Sequence, residues 1–361
     1  MQTAIRCTVM RGGTSKGLYF HAADLPQDRE TRDRVLLAAM GSPDMRQIDG
    51  MGGAHPLTSK VAVISPASRP DADIDYLFLQ VVVDEARVDP SQNCGNLLAG
   101  VGPFAIEEGL FAACGERTDV RIHMVNSKSL AVATIETPGG RVRYDGDARI
   151  DGVPGTAAPI PLDFLDVAGS SCGSLLPTGH LRDKIDGVEV TCIDNGMPVV
   201  VLAAEAVGAT GAETPEELEA KAAVKAKVEA IRLEAGRRMT LGDVTRKTVP
   251  KMSLVSPPRH GGALSTRTFI PHRVHEAIGV LGAVSVATAA ALPGSVAADI
   301  ARLGPGRQLV EVEHPTGFFT VDLEVGGSFP DVTVRKSALL RTARRLMKGE
   351  VYVPASVWAG S

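Results

Sequence analysis

Two side chains in this sequence are suited to moving a proton at a carbon atom, and both stand where a polar turn meets an apolar segment. Cys94 lies in Val88-Asp89-Pro90-Ser91-Gln92-Asn93-Cys94-Gly95-Asn96, between a hydrophobic strand over Phe78 to Val83 and the apolar residues Leu97, Leu98 and Val101. Asn93 has the side chain of a helix N-cap, which predicts Cys94 on the first turn of a helix. Aligned peptide dipoles and free N–H groups favour an anion there, either a thiolate or a substrate carboxylate, with Gly95 and Asn96 as N–H donors. Lys60 opens the run Val61-Ala62-Val63-Ile64, where an ammonium is unexpected unless it points into a cleft. A desolvated lysine can serve there as a proton carrier. The ordinary alternatives are a small buried cysteine and a solvated strand-edge lysine. Turn-forming neighbours on both sides of Cys94 favour the functional reading.

Residues able to hold the anion lie elsewhere in the chain. Arg11-Gly12-Gly13-Thr14-Ser15-Lys16-Gly17 separates a first strand from Leu18-Tyr19-Phe20. Two strands joined this way form a hairpin whose N–H groups and hydroxyls can cradle a carboxylate. It is no Walker loop, because a strand follows instead of a helix and the Gly-Lys-Ser/Thr ending is absent. Arg11, Thr14 and Ser15 are therefore candidate carboxylate holders, with Arg267 and His272 from the second half; each also reads as an ordinary loop residue. His272 and His275 have helical spacing, but no carboxylate pair or cysteine accompanies them, so no metal site is expected.

The elements that must position these residues are legible from their pattern. The helix after Cys94 contains Gly95, Gly100, Gly102 and Pro103, all poor interior residues, and it has no polar face. Burial must hold it, with the glycines letting strands approach closely. Asp28 to Met40 reads as a helix closed by Gly41 and Pro43.

The second half repeats the first. Cys192 to Leu202 takes the place of Cys7 to Phe20, and a helix starting at Thr214-Pro215 answers Asp28 to Met40. Lys251-Met252-Ser253-Leu254-Val255-Ser256-Pro257 echoes Lys60-Val61-Ala62-Val63-Ile64-Ser65-Pro66 at an offset of 251 − 60 = 191. A second apolar helix follows Thr268, Pro271 and His272, and Val312 to Gly317 answers Ile135 to Gly140. The expected architecture is α+β, with two pseudo-symmetric domains over residues 1–184 and 185–361. Each is a curled mixed sheet around an apolar helix, with the active-site cleft between them. A last strand or helix is free to pack back on the first lobe. Cys94 has no cysteine counterpart, which favours a one-sided proton shift over two-base epimerisation.

Composition narrows the partners. Among 361 residues, 38 Lys+Arg against 42 Asp+Glu give a net charge of −4, and aromatic content is 4%. No basic footprint or stacking platform for nucleic acid follows from that. Five cysteines without a Cys-x-x-Cys pair point to a reducing compartment. The longest apolar run, 277–292, falls short of the ~20 residues that span a bilayer, so a cytoplasmic protein with no membrane partner is expected. Oligomeric state is open, and a homo-oligomer fits the composition as well as a monomer.

Taken together, the duplicated halves, Arg11 to Gly17, Ser59-Lys60-Val61 and Asn93-Cys94-Gly95-Asn96 resemble the diaminopimelate-epimerase fold. Within it they look most like the methylaconitate isomerase (PrpF) branch. The length and N-terminal sequence resemble the bacterial tautomerases of that branch that act on 4-oxalomesaconate in gallate catabolism. The resemblance covers essentially the whole chain. It implies a cofactor-independent isomerase of a small unsaturated tricarboxylate, with Lys60 and Cys94 transferring the proton. Allylic isomerisation of methylaconitate, aconitate or oxalomesaconate is the neighbouring reading. A cysteine hydrolase using His55 or His272, and a non-catalytic organic-acid binding protein, are the readings from other classes.

Overall fold

The computed structural model describes residues 1–90, 94–165, 167–270, 273–304 and 308–360, with the backbone alone at Gln308. Among them run strands β1 (Gln2–Gly12), β2 (Ser15–His21), β3 (Lys60–Pro66), β4 (Ile74–Val81), β5 (Val88–Asp89), β6 (Arg117–Met124), β7 (Ser129–Glu136), β8 (Ile160–Leu165) and β9 (Asp183–Ile185). They continue with β10 (Val188–Asp194), β11 (Pro198–Ala203), β12 (Lys251–Ser256), β13 (Leu264–Phe269), β14 (Gln308–His314), β15 (Gly317–Ser328), β16 (Asp331–Arg341) and β17 (Ala343–Pro354). The α-helices are α1 (Arg29–Met40), α2 (Gly95–Glu107), α3 (Pro215–Glu219), α4 (Ala222–Arg238) and α5 (Val280–Ala290). No described helix is long and apolar enough to cross a membrane.

The chain forms two compact units, one of Met1–Asp163 with Leu340–Ser361, the other of Phe164–Leu339. The division differs from the expected boundary after residue 184. Residues 164–184 join the second unit because Ala168 bridges to Asn195, and the Asp194 carboxylate accepts from the N–H groups of Ser171 and Cys172. Leu340–Ser361 joins the first because β17 runs antiparallel along the whole of β1, from Gln2 opposite Pro354 to Gly12 opposite Ala343.

In unit 1 the strands lie in the order β17-β1-β2-β3-β4-β6-β7, and from β1 onward the pairings alternate antiparallel, parallel, antiparallel, parallel, antiparallel. In unit 2 the order β10-β11-β12-β13-β14-β15 gives the same alternation. Two halves with one topology are what an internal duplication leaves. In unit 1 the sheet wraps α2, which touches β1, β2, β3, β4, β6, β7 and β17. Leu97 to Ala105 are all buried, so packing offsets the poor propensity of a helix holding Pro103 and three glycines. The other face, with Leu18, Phe20, Val61, Val63, Leu79 and Val81, packs on Val35, Leu36, Ala39 and Met40 of α1. Asp28 caps α1 through the Thr31 N–H, and Gly41 closes it at φ 79°.

In unit 2, α3 opens with a capping box in which Thr214 and Glu217 satisfy each other's backbone N–H groups. The apolar helix α5 starts at Val280 with Gly279 as N-cap. Thr268, expected at its opening, instead belongs to β13, held by its pairing with Ser253. Pro271 and His272 lie outside the described residues.

Candidate active site

Period-2 alternation decides which side chains of the unit 1 sheet meet. Val61, Val63, Leu79 and Val81 belong to the core under α1, so Lys60 and Ala62 of β3 project from the opposite face, with Tyr76, Phe78 and Gln80 of β4. Register places Gly17 of β2 opposite Lys60 and Tyr19 opposite Ala62, so Ser15, Gly17 and Tyr19 share that face too. It is the face wrapped around α2, and the N-terminus of α2 carries Cys94.

Lys60 is held there by specific contacts. Its residue is 8% exposed, and its Nζ donates to Gln80 Oε1 at 2.9 Å while lying 5.0 Å from the centroid of the Phe78 ring. Gln80 is fixed in turn, since its Nε2 donates to the carbonyls of Ser59 at 2.8 Å and Pro56 at 3.1 Å. Ser59 Oγ donates to Val81 O and accepts from the buried Gln47 amide at 2.7 Å. An amine, its amide acceptor and the aromatic ring thus form one assembly.

Cys94 is also 8% exposed. The structure corrects its expected position by one residue. Cys94 is itself the N-cap, with extended φ/ψ of −125° and 97°, and no side-chain bond caps the helix. Asn93, expected as the cap, lies outside the described residues. Two buried tyrosines hold the turn that presents the thiol. Tyr76 donates its hydroxyl to Cys94 O at 3.1 Å, and Tyr19 donates to Leu97 O at 2.6 Å. Burial first, and then the neighbouring Cys94, raise both phenols well above their ordinary range, so both remain donors.

The β1–β2 hairpin closes on the same turn. Gly13, at φ 51°, packs so tightly on the Asn96 amide that no Cβ fits between them. Asn96 Nδ2 donates to Thr14 Oγ1 at 3.0 Å, but its Oδ1 is buried without a partner, and so is the hydroxyl of Ser15. Buried polar atoms without partners are costly and rare. Here two of them accompany Thr14, Gly95 and Cys94 at one helix end.

Of the remaining expected residues, Arg11 and Arg267 are engaged by protein carbonyls. Alternation puts Arg11 opposite Lys16, on the α1 face of the hairpin, and its guanidinium donates to Gly13 O and to both Thr342 O and Oγ1. It braces the turn through Thr342, the link between β16 and β17. Burial, with Arg344 adding to it, lowers its pKa. Arg267 pairs with Leu254 on the α4 face of unit 2, the face opposite Lys251, and its guanidinium donates to the carbonyls of Glu213 and Thr266. His272 lies outside the described residues. Among the described residues, no three His, Cys, Asp or Glu side chains are grouped to hold a metal ion.

Sequence reasoning missed Tyr19, Tyr76, Phe78 and Gln80. The signal is present as Tyr76-x-Phe78-x-Gln80, two aromatic rings and an amide alternating along one face of the strand. It gained meaning only once Lys60 was known to lie opposite.

Comparison with known proteins fits this geometry. A family model described as PrpF protein matches residues 2–354. The chain is 60% identical over 360 residues to the 4-oxalomesaconate tautomerase of Pseudomonas putida, covering 99% of each chain. It is 62% identical over 348 residues to the (4E)-oxalomesaconate Delta-isomerase of a Novosphingobium species, covering 96% of this chain and 97% of that one. A crystal structure of methylitaconate-delta-isomerase matches with a TM-score of 0.89 at 38% identity, over 100% of this chain and 98% of its own. A hydroxyproline epimerase from Agrobacterium vitis, at 14% identity and covering 98% and 97%, shares the fold with a TM-score of 0.56. The expected epimerase-like fold is the observed one.

Proposed function

The chain belongs to the PrpF family and is an isomerase, and from that premise we propose that it interconverts the keto and enol forms of 4-oxalomesaconate through Lys60 and Cys94. The observation that carries this reading is the α2 face of unit 1. An amine held by Gln80 and a thiol at a helix N-terminus accompany two buried polar atoms, Ser15 Oγ and Asn96 Oδ1, that have no protein partner. A ligand with oxygens and a hydroxyl supplies what both atoms lack.

In the keto form, a methylene lies between a carbonyl and an alkene. One of Lys60 and Cys94 takes a proton from it, and the electron pair spreads into a dienolate whose charge rests on the former carbonyl oxygen. The N–H groups of Gly95 and Asn96 receive that charge, and Ser15 and Thr14 hold a neighbouring carboxylate. Return of the proton to the oxygen gives the enol. The step belongs, on this reading, to gallate or related aromatic catabolism.

A second reading is favoured by the 62% identical relative that bears the name Delta-isomerase. The same dienolate protonated at the distal alkene carbon yields a double-bond shift, a 1,3-proton transfer of the kind also named for the methylitaconate enzyme. Incubation with oxalomesaconate, methylaconitate and aconitate in deuterated water separates the two. Ultraviolet change with deuterium entering only the methylene supports tautomerisation, and deuterium fixed at the distal carbon supports the allylic shift. Lys60→Met and Cys94→Ser are each expected to lower turnover by about a hundredfold or more. Near-normal turnover in both removes the assignment.

A further inference from the structure

Unit 2 repeats the strand that carries Lys60, with Lys251 at the matching position. Val199 of β11 lies opposite Lys251 of β12 in parallel pairing, as Gly17 of β2 lies opposite Lys60 of β3. Met252, Leu254 and Phe269 belong to the core against α4, so Lys251 and Ser253 project from the other face.

What surrounds the two lysines differs. Lys60 has an amide acceptor and an aromatic ring. Continuing the β12–β13 register puts Ile270 where Gln80 stands and Thr268 where Phe78 stands, and the Thr268 hydroxyl is bonded to Ser253 Oγ at 3.0 Å. The half-buried ammonium of Lys251 has no hydrogen bond or ion pair with a described residue.

The chain then folds back along β13. Ile270 N–H donates to Arg273 O, Val274 bridges to Phe269 and takes Glu219 Oε1 as acceptor, and His275 N–H donates to Thr268 O at 2.8 Å. Val274 packs with Phe269 against the α4 core, so alternation turns His275 to the other face, the one that carries Lys251, Ser253 and Thr268. His275 Nδ1 accepts from the Ala277 N–H at 2.9 Å, so the neutral imidazole carries its proton on Nε2, a second donor without a described acceptor. Burial first, then the charges of Lys251 and His314, lower the His275 pKa to about 4, which keeps the ring neutral near pH 7. Burial and the nearby Arg232 lower Lys251 to about 8, where it is still mainly protonated. Two nearby carboxylates are already engaged. Glu229 accepts from Arg232 Nε and Nη2, and Glu219 from Lys225 and the Val274 N–H.

We propose that Lys251 and His275 form a carboxylate-binding site in unit 2, in addition to the Lys60 and Cys94 pair of unit 1. An ammonium and an imidazole N–H supply two donors and positive charge, and neither has an acceptor among the described residues. A carboxylate meets both needs, whether it belongs to the reacting tricarboxylate or to a separate organic acid. The site stands on residues of unit 2, so it holds or fails apart from the roles of Lys60 and Cys94.

The test uses the full chain with isotope-labelled histidine, titrated with tricarballylate, a saturated tricarboxylate, and followed on the His275 Nε2–H resonance. That resonance is assigned by its loss in His275→Gln. Binding is expected to move it saturably, Lys251→Met to weaken the effect about tenfold or more, and Lys251→Arg to restore most of it. A rise in KM for the tricarboxylate in Lys251→Met marks the ligand as the reacting molecule. An unchanged KM beside a lost shift marks a separate acid. A resonance that tricarballylate leaves in place in the wild-type chain overturns the proposal, even if Lys251→Met does not fold. So does a resonance that moves equally in that variant.

Discussion

Replacing Gln80 by methionine keeps the length of the side chain and removes its amide, and the first group to feel the change is Lys60. The 2.9 Å bond from Lys60 Nζ to Gln80 Oε1 has a charged donor in a mostly buried setting. Such a bond contributes ~1.5–3 kcal/mol, and losing the Nε2 bond to Ser59 O adds ~0.5–1.5 kcal/mol. Gln80→Met should therefore destabilise the chain by about 2 to 4.5 kcal/mol. A double-mutant cycle with Lys60→Met isolates the pair, because the carbonyl bonds of Gln80 cancel in the cycle; the expected coupling is ~1.5–3 kcal/mol. If the amide also holds Nζ where the proton is transferred, the same free energy appears in the barrier. At ~1.4 kcal/mol per tenfold, kcat/KM falls about ten- to a hundredfold. Urea denaturation of the four proteins and steady-state turnover of the single Gln80 variant supply the measurements. Coupling below ~0.5 kcal/mol, or an unchanged kcat/KM, refutes the view that Gln80 positions the amine.

Ser15→Ala removes a buried hydroxyl that has no protein partner. Thermal stability should hold or rise slightly, while KM for the tricarboxylate rises about tenfold; a stability loss without a KM change would assign the hydroxyl to folding. Gly13→Ala places a methyl group against the Asn96 amide at a positive φ, so a cost of ~1–3 kcal/mol and a fall in turnover are expected, read by denaturation and kinetics. His275 gives a pH prediction. Its folded pKa, about 4, lies below its ordinary 6.5, so the unfolded chain binds more protons between those values and stability rises with pH there. Its contribution is complete above about pH 6.5 and lost as pH falls toward 4; His275→Gln should flatten the unfolding free energy across that window.

Part of the candidate site is written in local sequence. Cys94 was marked by the polar turn before an apolar helix, and Lys60 by an ammonium at the head of a β-branched strand. The glycine-rich hairpin was marked by its own composition. The boundary of α2 is displaced by one residue, because Cys94 stays extended while its carbonyl accepts from the Tyr76 hydroxyl and the Leu98 N–H, and the first of these contacts has no local signature. Arg11 and Ser15 looked equivalent as carboxylate holders. Strand alternation separates them, since four residues apart along a chain that turns at Gly13 they end on opposite faces.

The sequence by itself determined the duplication and the matching lysines 191 residues apart. It also required a helix with no polar face to be buried by strands, because repeats and hydrophobic patterns are properties of neighbouring residues. Tertiary structure alone decided the surroundings of each amine. Gln80 reaches Lys60 across 20 residues and Thr14 meets Asn96 across 82, and neither pairing has a local signature. The two lysines, nearly identical in their strands, thereby acquire different chemistry. One is given an acceptor beside a thiol-bearing helix end, and the other has a histidine on its face and no acceptor among the described residues, because the strand opposite each one was free to diverge.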